Sequence, residues 1–188
     1  MTEDTFFEGR SLARAKAFKG QQAARASGTR APAAPALPPE AEGRMVDVGA
    51  KPVVPREATA EGFLRLQPAT LAALAEGRGP KGDPFPAAQV AGILAAKATP
   101  HLVPFCHPLP LTAIDVSLAR EDAGVRCRAT VRTNAQTGVE MEALAAVMGA
   151  LLTVWDMTKA LEKDGTGNYP GTAIEGVRVV SKTKGAAP

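Results

Sequence analysis

The sequence has very few of the side chains that hold metals or form disulfides. Its 188 residues include two cysteines, Cys106 and Cys127, and two histidines, His101 and His107. A structural zinc site would need almost all four, and their spacing fits none of the usual ligand patterns. Two cysteines without framework spacing also argue against a disulfide scaffold and fit a reducing compartment. The sequence therefore predicts a cytoplasmic protein without a metal site.

Aromatic residues and net charge are also scarce. Aromatic side chains make up 4% of the chain, so Ala, Val and Leu must fill the core, and the formal net charge is only +3. So small a charge does not indicate a nucleic-acid partner. No apolar run free of charges reaches the roughly 20 residues of a membrane span. We expect no nucleic acid and no membrane, although a weakly basic chain is compatible with a local pocket for an anionic ligand.

The first 43 residues differ in composition from the rest of the chain. Residues 1–43 are rich in Ala and Pro and show no repeating apolar face. Such a composition buries too little apolar surface to offset the entropy of ordering, which predicts a disordered or loosely ordered extension. A docking arm for a partner is the alternative interpretation. Residues 44–188 are predicted to form one domain.

Apolar periodicity and proline positions predict the elements of that domain. Pro68 and Gly77 bound one short helix, and Asp83 with Pro84 begins another. Prolines at 100, 104, 108 and 110 exclude regular helix and predict a rigid extended loop over residues 101–110. The elements are a strand at 53–66, helices at 68–77 and 84–98, hairpin strands at 111–120 and 124–134, a helix at 139–163 and a strand at 173–183.

This order predicts the fold class. A strand, helices, a hairpin, a long helix and a final strand resemble a βαββαβ arrangement. We expect an α+β, ferredoxin-like sandwich with an antiparallel sheet and an extra helix.

The long helix is apolar nearly all round, which predicts that most of it is buried. Asp156 and Lys159 are three residues apart and can touch. The pair fits an ordinary surface ion pair of little energetic value. It also fits a functional pair, because Asp156 follows an apolar run in which a desolvated carboxylate needs a partner.

Helical geometry separates two acidic positions on the long helix. One face carries Met141, Glu142, Ala145, Gly149, Leu152, Asp156, Lys159 and Lys163. The small residues Ala145 and Gly149 leave room for another element to approach closely. Glu142 and Asp156 are 14 residues apart, which is about 21 Å along a helix. If both serve one small substrate, the site must combine two subunits.

Seven ordered strings identify a family resemblance. The strings are MVDVGAKP, REATAEG, GRGPKGD, AAQVAGILAAK, LVPFCHPLPLT, TGVEMEALAA and WDMTKALEK. Together, over residues 45–182, they resemble the cyclic pyranopterin monophosphate synthases, the molybdenum cofactor biosynthesis protein C family. The resemblance implies a lyase that converts 3′,8-cyclo-7,8-dihydroguanosine 5′-triphosphate into cyclic pyranopterin monophosphate and pyrophosphate, without a cofactor. It also implies a ferredoxin-like fold and a homohexamer, a trimer of dimers, with active sites at the dimer interface.

The resemblance also implies roles for particular residues. The expected catalytic residues are Asp156, Lys159 and Lys81. The expected substrate-binding residues are Phe105, Cys106, His107, Glu140, Met141 and Glu142. Tuned acid–base groups suit a reaction that rebuilds a purine-derived ring and closes a cyclic phosphate. Proline bracing would hold Cys106 and His107 in place before substrate binds. Cys106 is equally compatible with a packed small side chain.

Two segments depart from the family pattern. The turn DGTGNYPGT is longer than the connection in many members, and the Gly-rich GGKSG tail is absent. Lys182 and Lys184 are therefore the candidates for the family's tail lysine. A non-catalytic relative that keeps the fold and binds only a nucleotide or a partner is the alternative function.

Overall fold

A computed structural model describes residues 43–186, which form one compact unit. The predicted extension therefore lies outside the described residues, apart from Gly43. The elements in chain order are β1 (Val54–Arg65), α1 (Pro68–Ala75), α2 (Pro84–Lys97), α3 (Thr99–Leu102), β2 (Leu111–Glu121), β3 (Gly124–Ala135), α4 (Glu140–Glu162) and β4 (Ala173–Lys184). Each predicted strand and helix is present, with ends displaced by only a few residues.

The four strands form one antiparallel sheet in the order β2-β3-β1-β4. Ala58 of β1 pairs with Val131 of β3, and Val116 of β2 pairs with Ala129 of β3. The pairing of β1 with β4 is interrupted by two register shifts. Strands that are adjacent in sequence across a helix are thus separated by an antiparallel strand in space, and the predicted α+β, ferredoxin-like fold is confirmed.

One face of the sheet carries the core, and the other carries ion pairs. Val125, Cys127 and Ala129 alternate along β3 and are fully buried, as period-two side-chain alternation requires. On the opposite face, Arg132 donates through Nε to Glu57 Oε2 at 2.5 Å. The helices cover the apolar face only.

Helices α2 and α4 approach each other closely through small residues. A Cβ atom placed on Gly149 would lie 2.6 Å from the Cβ of Ala95, so only glycine fits there. The predicted close approach at Gly149 is confirmed, and its partner is α2. The predicted start of α2 is also confirmed, because Asp83 Oδ1 accepts a hydrogen bond from the Phe85 N–H at 3.1 Å.

The proline-rich loop and the long helix each correct an expectation. Residues Thr99–Leu102 form the short helix α3 where prolines were expected to exclude helix. Pro100 lies in the first turn, where a missing N–H costs nothing. Helix α4 is less buried than predicted, since Met148 is 42% and Leu152 is 60% exposed. By length and composition α4 could span a membrane, but its inner side packs in the core of this domain.

Candidate functional site

Three of the predicted residues form an ion-pair cluster. Lys81 Nζ lies 2.5 Å from Asp156 Oδ2, and Lys159 Nζ lies 2.7 Å from Asp156 Oδ1. Asp156 and Lys159 lie one turn apart on helix α4. Lys81 comes from the α1–α2 loop, which turns tightly because Gly82 adopts a φ of +86° and its N–H bonds to the Gly79 carbonyl at 3.0 Å. We call Lys81, Asp156 and Lys159 the lysine–aspartate cluster.

The two lysines keep Asp156 ionised. Hydrogen bonds from Lys159, and then from Lys81, lower the pKa of Asp156 to about 2. The hydrogen bond with Asp156 in turn raises the pKa of Lys159. The Asp156 side chain is 50% exposed in the single chain, so the pair is not desolvated there and has the exposure of a surface ion pair. Its electrostatics come from direct pairing and not from burial.

The proline-braced loop and the start of α4 enclose a separate cleft. A cleft of about 350 Å³ is lined by Val103, Phe105, Cys106, His107, Thr137, Gly138, Glu140 and Met141. Five of the six predicted substrate-binding residues therefore line one cavity, although they come from chain segments more than 30 residues apart. We call this cavity the loop cleft.

Glu142, the sixth of these residues, lies behind the cleft. It is 2% exposed, and its Oε1 accepts from Cys106 Sγ at 3.7 Å. Its Oε2 is buried and has no hydrogen-bond partner among the described residues. Burial raises the pKa of Glu142. Burial, followed by the charge of Glu142, raises the pKa of Cys106. The raised pKa makes each group a weaker acid than usual. The contact with Cys106 also links the buried Glu142 to the proline-rich loop.

Glu140 faces a different neighbour. Lys182 Nζ of β4 lies 2.8 Å from Glu140 Oε1. Burial alone would raise the pKa of Glu140, but the hydrogen bond and charge of Lys182 lower it. Glu140 and Glu142 therefore do not act as one acidic pair in this chain. The first is an ionised carboxylate and the second a buried one.

Glu140 also borders a basic cleft that sequence reasoning missed. This cleft, of about 450 Å³, is lined by Lys51, Arg56, Glu57, Gln136, Thr137, Gly138, Glu140, Lys182, Thr183 and Lys184. Lys51 and Arg56 stand in the strings MVDVGAKP and REATAEG, so the resemblance contained the signal. His101 lines neither the loop cleft nor the basic cleft.

The two halves of the candidate site stand at opposite ends of α4. The loop and basic clefts adjoin its first turn, and the lysine–aspartate cluster lies near its last turns. The rise of 1.5 Å per residue places Glu142 and Asp156 about 21 Å apart. Between them, on the side of α4 turned from the core, lie Met148 and Leu152, both exposed. We call Met141, Met148 and Leu152 the outer stripe of α4.

The antiparallel sheet and its helical layer, with the lysine–aspartate cluster at one end of α4, place the chain among α+β proteins with a candidate acid–base site. The model of the MoaC family matches residues 45–185, and the chain belongs to this family. A relative from Aeropyrum pernix, named "Probable cyclic pyranopterin monophosphate synthase", is 55% identical over 75% of this chain and 97% of its own. One of the same name from Archaeoglobus fulgidus is 51% identical over 76% and 91%. One from Methanothermobacter thermautotrophicus, 51% identical over 75% and 89%, is named "Probable cyclic pyranopterin monophosphate synthase accessory protein".

Proposed function

We propose that this protein is a cyclic pyranopterin monophosphate synthase, a lyase of molybdenum cofactor biosynthesis. It converts 3′,8-cyclo-7,8-dihydroguanosine 5′-triphosphate into cyclic pyranopterin monophosphate and pyrophosphate. Membership of the MoaC family supports this reaction. The main structural support is that Lys81 and Lys159 both form ion pairs with the carboxylate of Asp156. Residues 44–188 are the catalytic domain and residues 1–43 an extension of it, in the cytoplasm.

The lysine–aspartate cluster supplies the acid–base groups of this proposal. A low pKa keeps Asp156 a carboxylate at neutral pH, so it orients the two ammonium groups. Lys159 is the proton donor nearest to it on the same helix, and Lys81 donates from the opposite side. Two oriented donors suit a reaction that moves several protons between nitrogen, carbon and oxygen atoms of the opening ring.

The clefts at the other end of α4 supply substrate contacts. The ionised Glu140 accepts hydrogen bonds from the guanine-derived amino and ring N–H groups, beside Phe105, Cys106, His107 and Met141. Lys51 and Arg56 provide positive charge for the triphosphate. Of the two tail candidates, Lys182 is engaged by Glu140, whereas Lys184 forms no ion pair within residues 43–186. Lys184 is therefore the better phosphate ligand.

Assembly joins the two halves. Gly149 lies seven residues from both Glu142 and Asp156. An antiparallel α4 of a second copy, crossing the outer stripe at the level of Met148, would bring the cluster of one chain to the clefts of the other. The exposed outer stripe of α4 supplies an apolar, self-complementary surface for such a two-fold contact. The family resemblance extends this dimer to a homohexamer.

Turnover of the cyclised nucleotide tests the activity. Asp156→Asn and Lys159→Ala are each expected to reduce kcat by about 10²- to 10⁴-fold, while circular dichroism and assembly stay unchanged. Product would be followed by liquid chromatography with pyrophosphate release. Wild-type protein that binds the nucleotide tightly but forms no product would instead favour the non-catalytic alternative, which the accessory name of the Methanothermobacter relative suggests.

A matched pair of substitutions tests the assembly. Leu152→Glu places a charge in the outer stripe and is expected to dissociate the dimer and abolish turnover. Leu161→Glu is the control, because Leu161 is also exposed but lies nine residues on, about 180° around the helix. Sedimentation velocity reports the mass of each. A Leu152→Glu protein with unchanged mass and unchanged turnover would contradict the interface.

A further inference from the structure

The single tryptophan and the single tyrosine of the chain contact each other beside the lysine–aspartate cluster. The ring centroids of Trp155 and Tyr169 are 6.0 Å apart, with planes at 79°. This edge-to-face arrangement is a favourable geometry for aromatic pairs. Trp155 directly precedes Asp156 and is one helical turn before Lys159. We propose that Tyr169 is a positioning residue for Lys159, an inference that rests on the proposed function.

The turn that carries Tyr169 is built to hold it in place. Asp164 Oδ1 accepts from the Thr166 N–H at 2.8 Å, the Thr166 hydroxyl at 2.6 Å and the Asn168 N–H at 3.0 Å. The Asp164 N–H donates to the Asn168 carbonyl at 2.9 Å, and Gly167 takes a φ of +85°. Although the turn is exposed, its backbone is therefore fixed from within. These residues belong to the segment DGTGNYPGT.

A fully buried carboxylate fastens the base of the same turn. Glu162, the last residue of α4, accepts from the Thr172 hydroxyl and from the Gln67 N–H at 3.0 Å. The Gln67 side chain returns a bond to the Glu162 carbonyl at 3.0 Å. A buried carboxyl group that lost these partners would leave unsatisfied polar atoms in the core, which is costly. Both ends of the turn are therefore tied to α4. The proposed chemistry uses none of these groups.

The result is a half-buried aromatic ring pressed against the catalytic turn of α4. Trp155 and Lys159 are four residues apart and share a side of the helix. A ring packed on Trp155 therefore borders the space in which the Lys159 stem moves. Restricting the lysine rotamers keeps its ammonium group on Asp156, which is the arrangement needed for proton donation.

Kinetics of Tyr169→Ala and Tyr169→Phe test the proposal in the full-length protein. Loss of the ring in Tyr169→Ala is expected to lower kcat by about 3- to 10-fold and to leave KM unchanged. The acid limb of the kcat profile should move to higher pH, because a looser Lys159 holds the pKa of Asp156 down less. Tyr169→Phe keeps the ring and should match the wild type. A merely structural role would lower stability without moving the pH profile.

Fluorescence gives a readout that does not depend on turnover. Quenching of Trp155 by acrylamide should increase in Tyr169→Ala and in Asp164→Ala, which loosens the turn, but not in Tyr169→Phe. Asp164→Ala should also lower kcat. Increased quenching with unchanged kcat and pH profile would overturn the positioning role, as would a Tyr169→Phe protein as impaired as Tyr169→Ala. Absence of wild-type turnover would refute the proposed function instead, so the two failures are distinguishable.

Discussion

Complementation between inactive variants gives the sharpest prediction for a site shared by two chains. Asp156→Asn removes the carboxylate of the lysine–aspartate cluster and leaves the loop cleft intact. His107→Ala alters the loop cleft and leaves the cluster intact. Because the two regions lie about 21 Å apart along one rigid helix, a small substrate cannot bridge them within one chain. Every site in a homodimer of either variant lacks one of the two regions, so each variant alone should be inactive.

Mixed dimers should recover a defined fraction of the activity. When the two variants assemble at random in equal amounts, half of the dimers contain one chain of each kind. In such a dimer one site receives both defects and the other receives none. About one quarter of all sites should therefore be intact, and kcat per chain should reach about one quarter of the wild-type value.

The mixed dimers can be prepared by co-expressing the two variants with different affinity tags. A second route is to unfold the separately purified variants, mix them and refold them together. Each variant mixed with itself is the control for refolding. Mixtures no more active than the separate variants, in preparations where mass spectrometry shows mixed dimers, would refute the shared site. A single-chain site would give this result, because every chain carries one defect.

Three further outcomes follow from the structure. The pKa of Asp156 is lowered from 3.8 to about 2, so the ionised carboxylate stabilises the fold above pH 3.8 and this stabilisation is lost as the pH falls towards 2. Between these pH values, the free energy of unfolding measured with urea should fall more in the wild type than in Asp156→Asn. Burial raises the pKa of Cys106 and raises that of Cys127 to about 12, so iodoacetamide at neutral pH should label Cys106 more slowly than glutathione and Cys127 only after unfolding; rapid labelling of both would contradict this. Gly149→Val should destabilise the domain by about 2 kcal/mol or more, because the added side chain forces α2 away from α4. Gly165→Val is the control, since a side chain at Gly165 meets no neighbour, and it should change stability by less than about 0.5 kcal/mol. Equal urea midpoints for the two variants would contradict the close packing of α2 on α4.

The elements were predictable because their signals are local. Alternation in β1 and β3, proline at the start of α2 and the apolar length of α4 depend only on residues a few positions apart. The family strings then identified Lys81 and Asp156, whose contact joins positions 75 residues apart. No local pattern specifies such a contact, and the resemblance assigned the two residues to one catalytic set without predicting that they touch.

The division between Glu140 and Glu142 was not predictable from spacing. Two helical positions that differ by two residues point about 200° apart, so they meet different neighbours. Which neighbours they meet depends on where β4 and the proline-braced loop pack, and those positions are set by the sheet order. The same reason hid Lys51 and Arg56, which reach the site only because β1 and β4 are adjacent.

The exposure of α4 and the exposure of Asp156 have one physical explanation. The helix was expected to be largely buried and Asp156 was compatible with either an exposed or a desolvated pair, but the outer stripe and the cluster are exposed in a single chain. An apolar stripe beside an ion-pair cluster leaves unfavourable surface in water, and a second copy of α4 would cover both at once. Desolvation of the cluster would then accompany assembly, which strengthens the attraction between Asp156 and its lysines as water is excluded. In this proposal the acid–base groups become fully tuned only in the complete, two-chain site, so a variant that loses assembly should also lose activity.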